Sequence, residues 1–130
     1  MGANSQFTPS TGSNYQNVDE MPPNNDTDYN KALSAGLLDT FPMTDFTLPA
    51  DHVIRAVIPV TVVRKTDAAL DSKVKLHAYD GSTYQKSSAI AVTTSYGEYF
   101  VRFTLQNDGS SWNQDDLNSY QFGYESYGAF

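Results

Sequence analysis

The side chains that could do chemistry are few: two histidines, fifteen carboxylates and no cysteine in 130 residues. The lack of cysteine removes disulfides, thiolate metal sites and thiol nucleophiles together, and fits assembly in a reducing compartment. His77 falls on the polar side of an alternating segment, between Lys75 and Tyr79, and reads as a solvated strand histidine. His52 opens a strand from a turn and reads the same way. Neither a Gly-x-Ser-x-Gly elbow nor a His-Glu-x-x-His pair occurs. Asp115 and Asp116 are adjacent, but neighbours on a helix point apart. A glycosidase pair must instead flank one bond from a shared face, so these two suit the N-terminal end of a helix dipole. Asp26 and Asp28 alternate like the first ligands of a calcium loop, yet position 12 from Asp26 is Leu37 rather than glutamate. The cluster at 24–28 therefore reads as a polar turn. No glycine-rich loop precedes a helix to cradle phosphate. The expectation is a non-enzymatic protein with no catalytic, cofactor or metal site.

Aromatic residues are the remaining chemistry. Tyr79, Tyr84, Tyr96, Tyr99, Trp112, Tyr120, Tyr124 and Tyr127 could form a sugar-stacking platform. On strands, such residues more often serve as core and cross-strand pairs. Tyr127 and Phe130 lie past the last expected strand, and an aromatic tail of that kind docks on a neighbouring subunit more readily than it sits in water.

The elements that must carry these residues are strands. Residues 73–79 alternate, with Val74, Leu76 and Ala78 inward, and end at Asp80-Gly81, a strong hairpin signal. A short apolar strand follows at 89–92, then an alternating one in which Tyr99, Val101, Phe103 and Leu105 oppose Glu98, Phe100, Arg102 and Thr104. Ser111 can cap a short helix reaching Asn118, with Trp112 and Leu117 pinning it across one mouth of a sandwich. The last strand is expected at 120–124. Upstream, 39–41 and 43–46 read as short edge strands broken by Pro42. Residues 53–65 read as the strongest strand of all, apolar on one face and mixed on the other. Such a strand is either covered on both sides or sits at an interface, and Pro59 argues for an edge or a bulge. The fold class implied is an all-β, jelly-roll-like antiparallel β-sandwich with one short helix.

Residues 1–36 differ in kind. They are rich in Asn, Ser, Thr, Asp, Pro and Gly, with isolated apolar residues and no period. They read as an extended N-terminal arm laid on another surface, and residues 37–130 as the sandwich domain with a short aromatic tail. Removing the arm is expected to leave the sandwich folded. Charge divides along the same line: residues 1–52 carry seven acids against Lys31 alone, and residues 53–130 carry eight acids and seven bases. Without a basic block the chain is a poor ligand for nucleic acid and for anionic membranes. The N-terminus lacks the features of a secretory signal, and Gln6 stands where a myristoylation site wants Ser or Thr.

The run Thr8-Pro9-Ser10-Thr11-Gly12-Ser13-Asn14-Tyr15-Gln16-Asn17-Val18-Asp19-Glu20, followed by Pro22-Pro23 and Asp26-Thr27-Asp28-Tyr29, resembles the opening of a family of small tailed-bacteriophage virion proteins. The resemblance continues through Asp39-Thr40-Phe41, Arg64-Lys65-Thr66-Asp67-Ala68, Thr93-Thr94-Ser95-Tyr96, residues 112–118 and Phe122-Gly123, so it spans residues 8 to 125. Two features depart from the family. Only seven residues precede the Thr-Pro-Ser segment, and Thr104-Leu105-Gln106 stands where members carry a Trp and an acid. The resemblance implies a jelly-roll-like structural protein of the virion, foremost a capsid decoration (cement) protein. Such a protein clamps neighbouring major capsid subunits on the capsid exterior, after synthesis in the host cytoplasm. The implied partners are the major capsid protein and copies of the chain itself, as dimer or trimer, without nucleic acid or membrane. The alternative is a tail or fibre appendage module that binds host glycans. Expected contact residues are Phe7, Tyr15, Val18, Asp19, Glu20 and Tyr29 on the arm, with Tyr127 and Phe130 in the tail.

Overall fold

The computed structural model describes residues 2–19, 22–24 and 26–130; of the expected contact residues, Glu20 lies outside that description. In chain order the strands are β1 (Thr8–Pro9), β2 (Asn30–Lys31), β3 (Leu38–Pro42), β4 (Val60–Val63), β5 (Ser72–Tyr79), β6 (Tyr84–Lys86), β7 (Ile90–Ala91), β8 (Gly97–Phe100) and β9 (Gln121–Gly128), with one helix, α1 (Gln114–Ser119), before β9.

The cleanest alternation in the sequence makes the spine. β5 and β9 pair antiparallel over eight residues each, from Ser72 opposite Gly128 to Tyr79 opposite Gln121. β3 adds to the free edge of β9, while β6 and β7 share the other edge of β5. The turn after β5 is held by the Asp80 carboxylate, which accepts from the Ser82 and Thr83 amides at 2.8 Å each. Those bonds favour the ionised form and hold its pKa far below the usual carboxylate range. β4 and β8 form a second, two-stranded antiparallel sheet, and a bridge between Val57 and Phe103 carries their register further.

The core lies between the two sheets. Ala78 and Phe122 from the large sheet meet Phe103 from the small one, together with Trp112, Leu117 and Tyr120. Trp112 is buried within this cluster, its ring 4.8 Å from that of Tyr120, and its indole N–H donates to the Phe103 carbonyl at 2.9 Å. The fold is therefore an all-β antiparallel sandwich with, among the described residues, a single short α-helix.

Several element boundaries differ from expectation for identifiable reasons. Of residues 53–65 only 60–63 form a ladder, because Pro59 has no N–H to give and residues 53–56 meet no partner strand. Residues 43–46 are not a strand either. The helix starts later than Ser111 would place it: Asn113 is the cap, its side chain accepting from the Asp116 amide at 2.9 Å. β9 runs on to Gly128, so Tyr127 lies in a strand opposite Lys73 rather than in a free tail.

Candidate interaction surface

The arm lies on the chain's own sheet. Ser5 bridges Asp39 in antiparallel sense, the Gln6 amide donates to the Leu38 carbonyl at 3.1 Å, and the Thr40 amide donates to the Asn4 carbonyl at 3.0 Å. The arm thus extends the large sheet by one edge segment beside β3. Asp39 anchors it. This carboxylate is fully buried, and its Oδ1 accepts from the amides of Gln6 (2.7 Å) and Phe7 (2.9 Å). Its Oδ2 accepts from Asn14 Nδ2 at 2.6 Å. A buried carboxylate is costly unless its oxygens are hydrogen-bonded, and here the arm supplies all three donors. Phe7 stacks edge-on against Tyr124 at 4.9 Å, and Asn30 Nδ2 donates to the Tyr124 hydroxyl at 2.9 Å. Burial pushes the Tyr124 phenol well above its ordinary pKa. β1 and β2 close the arm into a small hairpin-like pair around the 3-10 turn at Asn14–Asn17.

A second fastening holds the far part of the arm. Arg64 donates to Asp26 at 2.9 Å, the Tyr96 hydroxyl donates to the same oxygen at 2.7 Å, and the guanidinium sits 5.2 Å from the Tyr96 ring. The Tyr96 hydrogen bond and then Arg64 lower the Asp26 pKa. Asp26 is therefore tied to the residue that follows β4 and to the loop before β8, not simply solvated. Exposed pairs add little to global stability. Arg64→Ala is accordingly expected to speed amide exchange around Asp26 to Tyr29 while leaving the thermal midpoint in place. A large fall in the midpoint would show that the contact supports the body of the fold.

His77 corrects the reading of a solvated strand histidine: it is fully buried. Thr40, Gly123 and His77 are neighbours across β3, β9 and β5. The Tyr84 ring closes over this face, edge-on to His77 at 5.2 Å and stacked on Tyr79 at 4.3 Å, while Asn4 Nδ2 donates to the Tyr84 hydroxyl. A Cβ at Gly123 would stand 2.9 Å from His77 Nε2 and 1.9 Å from the Asp39 carbonyl oxygen, so glycine makes the room. Lys86 and Glu125 pair at 2.7 Å beside the imidazole. Neither ring nitrogen has a hydrogen-bond partner among the described residues. Burial, with the Lys86 charge second, lowers the His77 pKa to about 4.

The cavity at Gly2, Asn4 and Thr40 holds about 10 Å³, room for one water, and the groove at Thr83, Tyr84, Gln85 and Asn107, of about 310 Å³, is largely open to solvent. Among the described residues no group of three metal-ligating side chains comes together, and no helix is long and apolar enough to cross a membrane. The aromatic platform is dispersed: Trp112 and Tyr120 lie in the core, and Tyr79 with Tyr84 roofs His77.

The expected contact residues fall into three groups. Phe7 is consumed by the arm's own docking on Tyr124. Tyr15, Val18, Asp19 and Tyr29 stay exposed on the arm, where Asn17 Nδ2 donates to the Tyr29 carbonyl at 3.1 Å and the Val18 amide donates to the Tyr15 carbonyl. Tyr127 and Phe130 are exposed at the end of β9, with Lys75 Nζ 3.7 Å from the Tyr127 ring centre. No hydrogen bond or ring contact joins the second and third groups among the described residues. Sequence reasoning missed Asp39 and Asn14, which bind the arm. The available signal was an acid inside an apolar strand and an asparagine-rich arm able to supply donors. It also missed Phe100, whose place among the polar residues of an alternating strand was a sign of exposure. No family model, no curated protein and no solved structure matches the chain.

Proposed function

We propose that the chain is a non-enzymatic structural protein of a tailed-phage virion, a capsid decoration protein that clamps neighbouring major capsid subunits through the outer surface of its arm. The proposal rests on the family resemblance, and a jelly-roll-like lineage belongs to it. The observation that carries it is the state of the arm. It is fastened at β3 by Asp39 and beside the β4–β8 pair by Asp26, yet it leaves Tyr15, Val18 and Tyr29 in solvent beside Asp19. An ordered segment presents such residues without an ordering cost on binding, and exposed aromatics on a rigid support suit protein contact. The excess of acid in residues 1–52 suits a basic partner surface. Each weak contact would gain from repetition over a lattice.

Deleting the arm is not a clean test, because it would also strip Asp39 of its donors. The combined variant Tyr15→Ser, Val18→Ser and Tyr29→Ser touches only exposed side chains. It is expected to fold normally and to co-sediment with capsids lacking the native protein at least about tenfold more weakly, as loss of interface anchors does. Binding by the parent should also weaken as salt rises, since its charge pairing is exposed. Full retention of binding by the triple variant would reject the arm as the capsid contact. The appendage reading, with glycan binding, has lost Trp112 to the core and has no compensating observation.

A further inference from the structure

The outer face of the β4–β8 ribbon is apolar and uncovered. Val60 stands opposite Phe100 and Val62 opposite Glu98, and the bridge between Val57 and Phe103 sets Ile58 opposite Arg102. The inward side of the ribbon gives Val57, Val101 and Phe103 to the core. Its outward side leaves Ile58, Val60 and Phe100 at 52%, 59% and 65% exposure, with Glu98 and Arg102 also exposed. Three large apolar side chains side by side in water are a liability unless something covers them.

We infer that this face is where a second copy of the chain docks, face to face about a two-fold axis that crosses the strands at Val60 and Phe100. The order of residues is what selects a second copy. Along β8 and just beyond it the outward residues read acid, aromatic, base: Glu98, Phe100, Arg102. Rotation about that axis reverses the strand direction and turns the face over. It lays Phe100 on Phe100, Val60 on Val60, Ile58 on Val62, and Glu98 on Arg102 twice. The face is its own electrostatic complement, as an isologous contact requires. Residues 53–130 hold eight acids and seven bases, so the half of the chain that carries the ribbon opposes pairing little by net charge. The contact is narrow: about seven residues at ~3.3 Å along two strands ~4.8 Å apart. That is well under the ~800 Å² per partner of a standard interface, so the dimer is weak, with a Kd of about 10–100 μM. The inference does not depend on the virion reading, because it uses a different face.

Sedimentation velocity of the full chain from 5 to 500 μM (about tenfold either side of that range's middle) is expected to move from monomer toward dimer. Phe100→Lys should hold it monomeric with an unchanged far-ultraviolet spectrum. Glu98→Arg alone and Arg102→Glu alone should each weaken association about tenfold, because each sets like charges together at both symmetric positions. The double variant should recover the parent Kd to within about threefold. A parent that stays monomeric at 500 μM overturns the proposal and leaves the capsid reading standing. A dimer that survives Phe100→Lys overturns the choice of face, and a double variant no better than the singles overturns the two-fold register.

Discussion

Replacing Asp39 by alanine is expected to release the arm from the sheet and to lower the unfolding free energy by about 3–5 kcal/mol. The carboxylate is fully buried and accepts three hydrogen bonds, two from backbone amides of Gln6 and Phe7 and one from the Asn14 side chain. Hydrogen bonds to a charged group contribute about 1.5–3 kcal/mol each, and a buried donor left without a partner costs about 1–3 kcal/mol. Three full penalties would exceed the total expected here, but the arm can lift and let water reach the freed amides, which caps the loss. Lifting has its own consequence: Phe7 leaves Tyr124, and Thr40 loses the Asn4 carbonyl. Hydrogen exchange should therefore speed by orders of magnitude at Gln6, Phe7 and Thr40, and change least in the β5–β9 ladder. Asp39→Asn is the informative companion. Its carbonyl still accepts from the two backbone amides, but its NH₂ faces the Asn14 amide donor, so an intermediate loss is expected. Chemical denaturation that places Asp39→Ala within about 1 kcal/mol of the parent, with protection at Gln6 intact, would show that Asp39 does not hold the arm.

β5 was legible because Val74, Leu76 and Ala78 alternate and Asp80-Gly81 ends the strand, and both signals are local. The covering of its other face was not legible. His77 is covered by Tyr84 from the next strand, whose hydroxyl accepts from Asn4 on an arm more than seventy residues away, and no local period encodes such an arrangement. The arm likewise reads as featureless polar sequence because its order comes from side-chain amides meeting Asp39, Tyr124 and their own backbone, not from apolar burial. Residues 53–65 failed in the opposite sense. Composition promised a long strand, but Pro59 cannot donate to the ladder, and the pleat that runs in one register from Val57 to Val63 turns Ile58 and Val60 toward water. The pattern of that segment allowed either burial on both sides or an interface, and the exposure of Ile58 and Val60 beside Phe100 removes the first of these within the chain itself.

Lowering the pH from 7 to 4 is expected to cost the protein about 3 kcal/mol through His77 alone. In the unfolded chain the imidazole takes up its proton near 6.5, while in the folded chain burial, with Lys86 second and against the opposing pull of Glu125, delays uptake to about 4. Between those values the unfolded state binds more protons, so stability falls as pH falls. Above 6.5 the group is neutral in both states and contributes no slope. Each unit of separation is worth about 1.4 kcal/mol, and a loss of that total would lower the thermal midpoint by roughly 10 °C. The acids whose pKa values lie below their ordinary value, Asp26, Asp80 and Asp108, begin to add their losses only below pH about 5, so the slope between pH 6.5 and about 5 belongs to His77 rather than to these acids. Urea denaturation at pH 7.5, 6, 5 and 4.2 reads the slope directly. His77→Phe keeps a flat ring under Tyr84, has nothing to titrate and should flatten the curve across that range. If the bulkier ring strains the site, His77→Gln removes the titration by another route and should flatten it as well, whatever its absolute stability. A parent curve flat from 7.5 to 4.2, or the same slope retained in both variants, would mean that the imidazole accepts its proton without disturbing the roof of Tyr84, Lys86 and Glu125. In the predicted case, protonation sets a second positive charge beside Lys86 in a closed site, and the relief available is to lift Tyr84 and, with it, the Asn4 end of the arm.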